Sequence, residues 1–256
     1  MICVPVVART HAEAEQQLVA CKQQAVQIVE LRLDFLAEPP DLPRLLAACP
    51  RPAIVTCRSR HAGGRWQGSE TDRLALLRRA LDLGASYIDV EAEYARPFQG
   101  TASTKVIASY HNFDETPADL LDIVRDLEAL PSDLIKFATM AHSQEDNLRV
   151  FRALQACTKP AIGLCMGEWG EISRVLNLRY GSVLTFGSLK TGCESAPGQL
   201  TAADLARLYR VPYLTDKTAL YGVVGDPIAH SMSPEIHNTA ISACGLDAVY
   251  LRFRVQ

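Results

Sequence analysis

The chain of 256 residues is long enough for one α/β barrel or for two smaller domains. A hydrophobic content of 48% and a charged content of 21% are typical of a globular protein with a large core, and a formal net charge of -3 argues against nucleic-acid and anionic-membrane partners. The apolar residues 1–8 are too few to span a membrane and follow no basic region, so we expect neither a membrane segment nor a signal peptide. Since no Cys-x-x-Cys pair occurs, we expect reduced thiols and a cytoplasmic location.

Strand-like and helix-like segments alternate over about 210 residues. Strands are predicted at 2–7, 28–33, 53–57, 87–90, 105–110, 134–139, 161–165 and 183–186, and helices at 11–24, 42–48, 70–83, 93–98, 117–130, 143–156, 171–178 and 202–208. The strands are continuous apolar runs, which is typical of parallel strands covered on both faces. Eight such units predict a (β/α)8 TIM barrel. The alternative is an open doubly wound sheet, which usually carries a G-x-G-x-x-G turn for a nucleotide, and that turn does not occur here.

The pattern changes after the predicted barrel, which we place at 1–212. Residues 213–219 are interpreted as a linker, and 220–256 contain a strand at 220–224, a helix at 234–243 and a strand at 248–255. This is a partial β-α-β unit, and about 37 residues cannot close a core of their own. We therefore expect it either to pack on the barrel or to open a second α/β domain.

Two residues on neighbouring predicted strands point to carbonyl chemistry. Lys136 interrupts the apolar strand 134–139, where an unpaired charge is costly, and His111 ends the strand before it. An amine beside an imidazole is suited to Schiff-base formation, although a lone lysine can also snorkel and a lone histidine can be structural. In such a barrel the catalytic side chains gather at the C-terminal strand ends. The other candidates there are Glu30, Arg32, Asp34, Arg58, Asp89, Glu91, Ser109, Met166, Ser195 and Gln199.

Five motifs occur in one order along the predicted barrel. They are Glu30-Leu31-Arg32-Leu33-Asp34, Thr56-Cys57-Arg58, Ser109-Tyr110-His111-Asn112-Phe113, Ile135-Lys136-Phe137-Ala138 and Ser195-Ala196-Pro197-Gly198-Gln199. Through them the chain resembles type I 3-dehydroquinate dehydratases. The resemblance implies a barrel enzyme that dehydrates 3-dehydroquinate to 3-dehydroshikimate in the shikimate pathway of aromatic amino-acid biosynthesis, with no metal and no organic cofactor.

The same resemblance implies roles for individual residues. Lys136 would form the Schiff base as a neutral amine, a form that we expect burial and the cations Arg32, Arg58 and Arg174 to favour. His111 would be the general base and acid. Arg174 would bind the substrate carboxylate. The remaining contacts to hydroxyls and the ring would come from Glu30, Arg32, Arg58, Met166, Ser195 and Gln199.

One position departs from the family pattern. The family commonly has a glutamate just before the Gly-Gly of the loop after the third strand, where it orients the histidine, and here Ala62 precedes Gly63. We expect Asp89 or Glu91 to take over that role. The loop 191–199 has the glycine and proline content of a mobile lid, with a plain connector as the alternative.

The second unit resembles the start of shikimate dehydrogenase. The stretch 221–234 carries this resemblance, with support from His237-Asn238 and 248–250. The NADP-binding part of that family and its catalytic lysine and aspartate are not in this sequence, so we expect no dehydrogenase activity and a need for NADP only if that part were present. Ser231 and Ser233 would be isolated remnants of a shikimate site.

Two other functions stay open from the sequence. A class I aldolase-type lyase would use the same Schiff base, and a non-catalytic barrel remnant would use none of it. The partner we expect is a small-molecule substrate, with no nucleic acid and no membrane, and a homodimer is left open.

Overall fold

A computed structural model describes residues 1–255 as a barrel followed by a small second unit. The strands are β1 Ile2–Val6, β2 Ile28–Arg32, β3 Ala53–Thr56, β4 Tyr87–Glu91, β5 Lys105–Asn112, β6 Leu134–Met140, β7 Ala161–Met166, β8 Thr185–Phe186, β9 Ala219–Gly225 and β10 Ala248–Arg254. The helices are α1 His11–Lys22, α2 Leu42–Ala48, α3 Glu70–Asp82, α4 Leu120–Glu128, α5 Gln144–Ala156, α6 Glu171–Leu176 and α7 Ser233–Ala243.

The first eight strands form one parallel sheet in the order β7-β6-β5-β4-β3-β2-β1-β8. The sheet curves into a nearly closed barrel, because a single parallel bridge joins Ala161 to Ser182, and Val183 N donates to Ala161 O at 2.9 Å. The predicted (β/α)8 barrel is confirmed, and the open doubly wound alternative is wrong.

The alternation of side chains along β6 decides where Lys136 points. Ile135 and Phe137 pack in the apolar layer between strands and helices, whereas Leu134 and Ala138 belong to a separate cluster of strand and strand-end side chains. Because neighbouring side chains on a strand face opposite ways, Lys136 lies on the same face as Leu134 and Ala138. The sequence therefore places the amine inside the barrel.

Several predicted elements are shorter in the structure. The eighth strand has only two residues, because the side chains of Asn177 and Ser182 donate to Leu184 O, and Asn177 also donates to Gly163 O at 3.1 Å. Side-chain hydrogen bonds thus replace a ladder between β7 and β8. The predicted helix 93–98 is a 3₁₀ turn at Ala92–Tyr94, and 202–208 is a π-type turn at Asp204–Leu208.

The second unit, residues 219–255, is called the tail below. Strands β9 and β10 are parallel and are connected through α7, so the tail is a β-α-β unit. Val249 and Leu251 of β10 are buried in the same apolar core as the barrel helices, while the first four residues of β9 are exposed. The tail therefore packs on the barrel. Within residues 1–255, no helix combines the length and apolarity that crossing a membrane requires.

Candidate active site

One pocket opens at the C-terminal ends of the barrel strands. It is lined by Glu30, Arg32, Arg58, Ala62, Gly63, His111, Phe113, Lys136, Ala138, Leu164, Met166, Arg174, Phe186, Ser195, Ala196 and Gln199. The structure thus brings together nine residues singled out from the sequence, which come from six strands or the segments after them. Asp89 and Glu91 do not line the pocket but lie buried next to its charged groups. Ser231 and Ser233 lie in the tail, where their hydroxyls are 3.1 Å apart.

Lys136 is 6% exposed and lies between two carboxylates and an aromatic ring. Its Nζ is 3.0 Å from Asp89 Oδ2, 3.6 Å from Glu30 Oε1 and 4.5 Å from the centre of the Phe186 ring. The sequence led us to expect cations around this amine, and that expectation is wrong for its nearest charged neighbours. The carboxylates reach it because β2 and β4 direct their acidic side chains to the same side of the barrel as β6.

Asp89 links Lys136 to the cationic side of the pocket. Its Oδ1 accepts from Arg58 Nη2 at 2.7 Å and from the Ser109 hydroxyl at 2.6 Å, while Oδ2 accepts from Lys136. Burial alone would raise the pKa of Asp89, but Arg58 and Lys136 outweigh burial and hold that pKa below its usual range. Asp89 is therefore ionised, and its position is fixed from three sides.

Glu91 and Glu30 extend this network along the strand ends. Glu91 accepts from Arg73 Nη1 at 2.6 Å and from the backbone N of Ser59 at 3.0 Å, and it lies 3.4 Å from Arg58. Glu30 accepts from the Thr56 hydroxyl at 2.8 Å. Burial would lower the pKa of Arg58, but the surrounding carboxylates raise it above the ordinary value. Each described charge on this side of the pocket therefore has an opposite partner.

His111 is adjacent to this network but is not bonded into it. Its Nδ1 is buried and has no hydrogen-bond partner among the described residues, and the imidazole stacks on Phe113 with ring centres 6.3 Å apart. Burial, followed by the charges of Arg58 and Lys136, lowers the pKa of His111 well below its ordinary value. The imidazole is therefore neutral at neutral pH, which is the state a general base needs.

Neither Asp89 nor Glu91 hydrogen-bonds to His111 among the described residues, so their orienting role stays a prediction without a direct contact behind it. The oxygens of Asp89 are taken by Arg58, Ser109 and Lys136, and those of Glu91 by Arg58, Arg73 and the backbone of Ser59. Ala62 lines the pocket but has no polar side chain to offer. Within residues 1–255, no side chain hydrogen-bonds to His111 Nδ1.

Arg174 lies on the part of the pocket formed by β7 and α6 and has no carboxylate partner among residues 1–255. It is 1% exposed, its Nη2 donates to Pro197 O at 3.1 Å, and its Nε is buried without a partner. Burial lowers the pKa of Arg174 to about 10. A buried guanidinium with unused donors is set up to bind an anion that enters the pocket.

The loop 191–199, called the lid loop below, covers the Arg174 side. Ser195 and Gln199 bond to each other, with Ser195 N donating to Gln199 Oε1 at 2.9 Å. Gly167 N donates to Pro197 O at 3.1 Å, and a Cβ on Gly198 would lie 2.2 Å from Gly167 O. Only glycine fits at position 198 without a clash, and its φ of 71° is also a conformation that favours glycine.

Sequence reasoning missed the aromatic side chains of the site. Phe186 lies against Lys136, and Phe113 lies against His111. Phe35 was also missed, and its ring lies between the guanidinium groups of Arg32 and Arg65 at 4.7 and 4.5 Å. A phenylalanine at a strand end reads as core, and only its position next to a charged residue could have indicated the site. No group of three or more potential metal ligands occurs among the described residues.

The fold and the pocket define a (β/α)8-barrel enzyme with an amine, a neutral imidazole and an unpaired guanidinium around one cavity. The profile of the Type I 3-dehydroquinase family matches residues 2–216, so the chain belongs to that family. The profile of the shikimate dehydrogenase substrate binding domain matches residues 223–256. The barrel is thus a 3-dehydroquinate dehydratase, a lyase of the shikimate pathway, followed by the N-terminal part of a shikimate dehydrogenase domain.

Curated relatives show both arrangements. The 3-dehydroquinate dehydratase of Methanococcus vannielii is 35% identical over 221 residues, which cover 81% of this chain and 98% of that protein. The bifunctional 3-dehydroquinate dehydratase/shikimate dehydrogenase, chloroplastic, of Arabidopsis thaliana is 36% identical over 267 residues, which cover 100% of this chain. The chain spans only 44% of the length of that bifunctional relative.

Solved structures agree with the barrel. The 3-dehydroquinate dehydratase from Geobacillus kaustophilus has a TM-score of 0.73 and 28% identity, covering 82% of this chain and 90% of that one. The type I enzyme from Clostridium difficile, solved with covalent modified comenic acid, has a TM-score of 0.70 and 26% identity, covering 82% and 91%. S. pombe AroM, at 24% identity and a TM-score of 0.68, covers 100% of this chain and 52% of that one and shows the fold alone.

Proposed function

We propose that this pocket dehydrates 3-dehydroquinate to 3-dehydroshikimate through a Schiff base on Lys136, with His111 as the general base and acid. One observation carries the proposal: a buried lysine and a neutral, buried histidine on adjacent strands line the same pocket as an unpaired arginine. The substrate supplies what each of these groups lacks, namely a ketone, an acidic C–H bond and a carboxylate.

Binding begins at Arg174. The substrate carboxylate accepts hydrogen bonds from the guanidinium and so neutralises a charge that the empty pocket leaves unpaired. The lid loop then places Ser195 and Gln199 against the hydroxyl groups, and Arg58, Glu30 and Arg32 offer polar contacts on the other wall. Met166 packs against the ring. A carboxylate fixed at one wall directs the ring ketone toward Lys136 at the other.

The covalent step forms a C–N bond at the ketone carbon. The neutral amine of Lys136 adds to the carbonyl, and loss of one water gives an iminium, which withdraws electrons from the neighbouring C–H bond. His111 removes that proton as an imidazole and then donates it to the hydroxyl that leaves as water. Hydrolysis consumes one water and releases Lys136, so the net change is the loss of one water from the substrate. The described groups suffice without a metal or an organic cofactor.

Support for a covalent route comes also from the solved relative of Clostridium difficile, whose structure is described with covalent modified comenic acid. An aldolase-type lyase would share the Schiff base but would break a C–C bond. A non-catalytic remnant would do neither. These alternatives are outcomes of the experiment below.

The test is reduction of the protein with borohydride in the presence of 3-dehydroquinate, followed by intact mass and peptide mapping. We expect one adduct, located on Lys136, together with an enone absorbance in the unreduced reaction. Lys136→Met is the matched variant, and we expect it to lose the adduct and on the order of 10⁵-fold in kcat/KM. Enone without an adduct would disprove the Schiff base, C–C cleavage products would indicate the aldolase, and neither product nor adduct would indicate the remnant.

We further propose that residues 1–256 lack dehydrogenase activity and that Ser231 and Ser233 do not support it alone. The chain spans 44% of the bifunctional Arabidopsis relative and matches the substrate-binding profile only over 223–256. The measurement is NADPH oxidation with 3-dehydroshikimate, which should stay at background. Turnover above background that Ser231→Ala removes would contradict this proposal.

A further inference from the structure

The tail contacts the barrel at residues 167–174, which run from the end of β7 to Arg174 in α6. These residues are called the 167–174 segment below. Arg254 of β10 donates to Glu168 Oε2 at 2.6 Å, and its guanidinium lies 4.9 Å from the centre of the Trp169 ring. Arg252 of β10 lies 3.5 Å from Glu171 Oε1. One strand of the tail therefore holds three side chains of this segment.

The other side of the 167–174 segment forms part of the active site. The segment directly follows Met166 and ends at Arg174, and both residues line the pocket. Its first and last residues, Gly167 and Arg174, each donate to Pro197 O of the lid loop at 3.1 Å. The tail, the unpaired arginine and the lid loop are thus connected through one short stretch of chain.

The tail contacts form a network and not an isolated surface ion pair, which would contribute little. Arg254 also donates to Asp226 at 2.8 Å, and its carbonyl accepts from Gln144 at 3.0 Å. Arg252 also donates to Glu235 at 2.7 Å. Both guanidinium groups are therefore held by the tail itself before they reach the barrel.

The barrel partner of Arg252 is itself well fixed. Burial raises the pKa of the Glu171 carboxyl, and the Tyr209 hydroxyl donates to it at 3.3 Å. Such a half-buried pair resists solvent screening better than an exposed one. Glu171 lies about one helical turn before Arg174 in α6, so a shift of Glu171 would also move Arg174.

Monofunctional relatives show that a barrel of this family does not need a tail to exist. The aligned 221 residues cover 98% of the Methanococcus vannielii enzyme, which leaves no length for such a unit. The contacts made by Arg252 and Arg254 are therefore an addition to the basic barrel, and their effect should be an adjustment of the site and not a requirement for folding.

We propose that Arg252 and Arg254 are positioning residues for the dehydratase pocket. By holding Glu168, Trp169 and Glu171, they fix the 167–174 segment, and with it the orientation of Arg174 and the position of Pro197 in the lid loop. The inference rests on the proposed function, since it requires that the substrate carboxylate binds Arg174. Because the effect passes through binding groups and not through Lys136, it should change KM more than kcat.

The experiment is steady-state kinetics of Arg254→Ala with 3-dehydroquinate. We expect KM to rise about fivefold or more, as for a modest coupling between two sites, with kcat within about twofold of wild type. Arg179→Ala is the matched control, because Arg179 holds the residues just before the tail through the carbonyls of Asp216 and Thr218 and makes no hydrogen bond to the 167–174 segment among the described residues. This control should keep the wild-type KM.

Two further variants separate positioning from general packing. The exchange Glu168→Arg with Arg254→Glu should bring KM back toward wild type, which a purely packing role would not do. If Arg254→Ala fails to fold, Arg254→Lys keeps the charge and should raise KM in the same direction by less. A wild-type KM in Arg254→Ala, or in Arg254→Lys where the first variant does not fold, overturns the inference, as does an equal rise in Arg179→Ala. Failure of the proposed function would appear separately, as a wild-type protein without turnover or adduct.

Discussion

Charged side chains are paired on one wall of the pocket and unpaired on the other. On the wall from β2 to β6, Arg58, Asp89 and Lys136 are paired with one another before any substrate arrives. On the wall from β7 and α6, Arg174 is buried with a free Nε and meets only a backbone carbonyl. The first wall holds its geometry without a ligand, whereas the second keeps a favourable interaction unmade until an anion binds. Under the proposed function, preorganisation and substrate binding would thus fall to different strands.

The largest expected effect comes from His111, the neutral group between these walls. His111→Ala should lower kcat by about 10²- to 10⁴-fold, the usual contribution of a general acid–base group. In the wild type, the lowered pKa means that the imidazole stays unprotonated down to pH values below 6.5, so activity should be lost only as the pH falls below that value. The measurement is kcat/KM against pH. An acidic limb at or above pH 6.5 would show that the pKa of His111 is not lowered and that its imidazole is charged like its neighbours.

A matched pair of arginine substitutions tests the comparison directly. Arg58→Gln removes the arginine partner of the buried Asp89 and should lower the free energy of unfolding by about 3–5 kcal/mol. Arg174→Gln removes an unpaired buried charge and should leave that free energy unchanged or raise it. Urea unfolding of the two variants provides the measurement. Equal losses of stability in both would mean that the walls do not differ.

The same Arg174→Gln variant should lose substrate binding. A hydrogen bond to a charged group is worth about 1.5–3 kcal/mol, so KM should rise roughly 10- to 150-fold while the borohydride adduct on Lys136 still forms at high substrate concentration. Steady-state kinetics and intact mass check the two parts. An unchanged KM would show that Arg174 does not bind the substrate carboxylate.

The smallest expected effect is a gain at Ala62. A glutamate at this position would offer a partner to the unbonded Nδ1 of His111, and one hydrogen bond of about 0.5–1.5 kcal/mol should raise kcat roughly 2- to 12-fold. The added carboxylate also favours the protonated imidazole, so the acidic limb of the pH profile should move to higher pH. Ala62→Gln is the control, since it can bond without adding charge. If Ala62→Glu changes neither the pH profile nor kcat, the tautomer of His111 is already fixed without this partner.

The strands of the barrel were predictable because their apolar runs are continuous, and Lys136 was conspicuous because it breaks one of them. The eighth strand was predicted too long, since its pairing groups are used by Asn177 and Ser182, and a side chain that replaces a ladder leaves no signal in hydrophobic periodicity. Asp89 comes next to Lys136 through the register of β4, β5 and β6. That register is the shift of each strand against the next, and the hydrophobic pattern alone does not give it.

Pairing among the charged residues was the part that the sequence could not provide. Strand ends alone do not tell which carboxylate meets which guanidinium, so the sequence could not predict that Asp89 bonds to Arg58 and Glu91 to Arg73. Arg174 was found through family resemblance, because an arginine within α6 looks like an ordinary solvated residue. Its lack of a partner is visible only in three dimensions.

The position of Lys136 between Asp89 and Glu30 has a consequence for the reaction itself. In the proposed reaction the nitrogen of Lys136 becomes an iminium, which carries one positive charge between these two carboxylates but has a single N–H bond. That N–H can donate a hydrogen bond to only one of the two carboxylates at a time. Under the proposed mechanism, the carboxylate that loses its bond to nitrogen would be free to accept a hydrogen bond from a substrate hydroxyl.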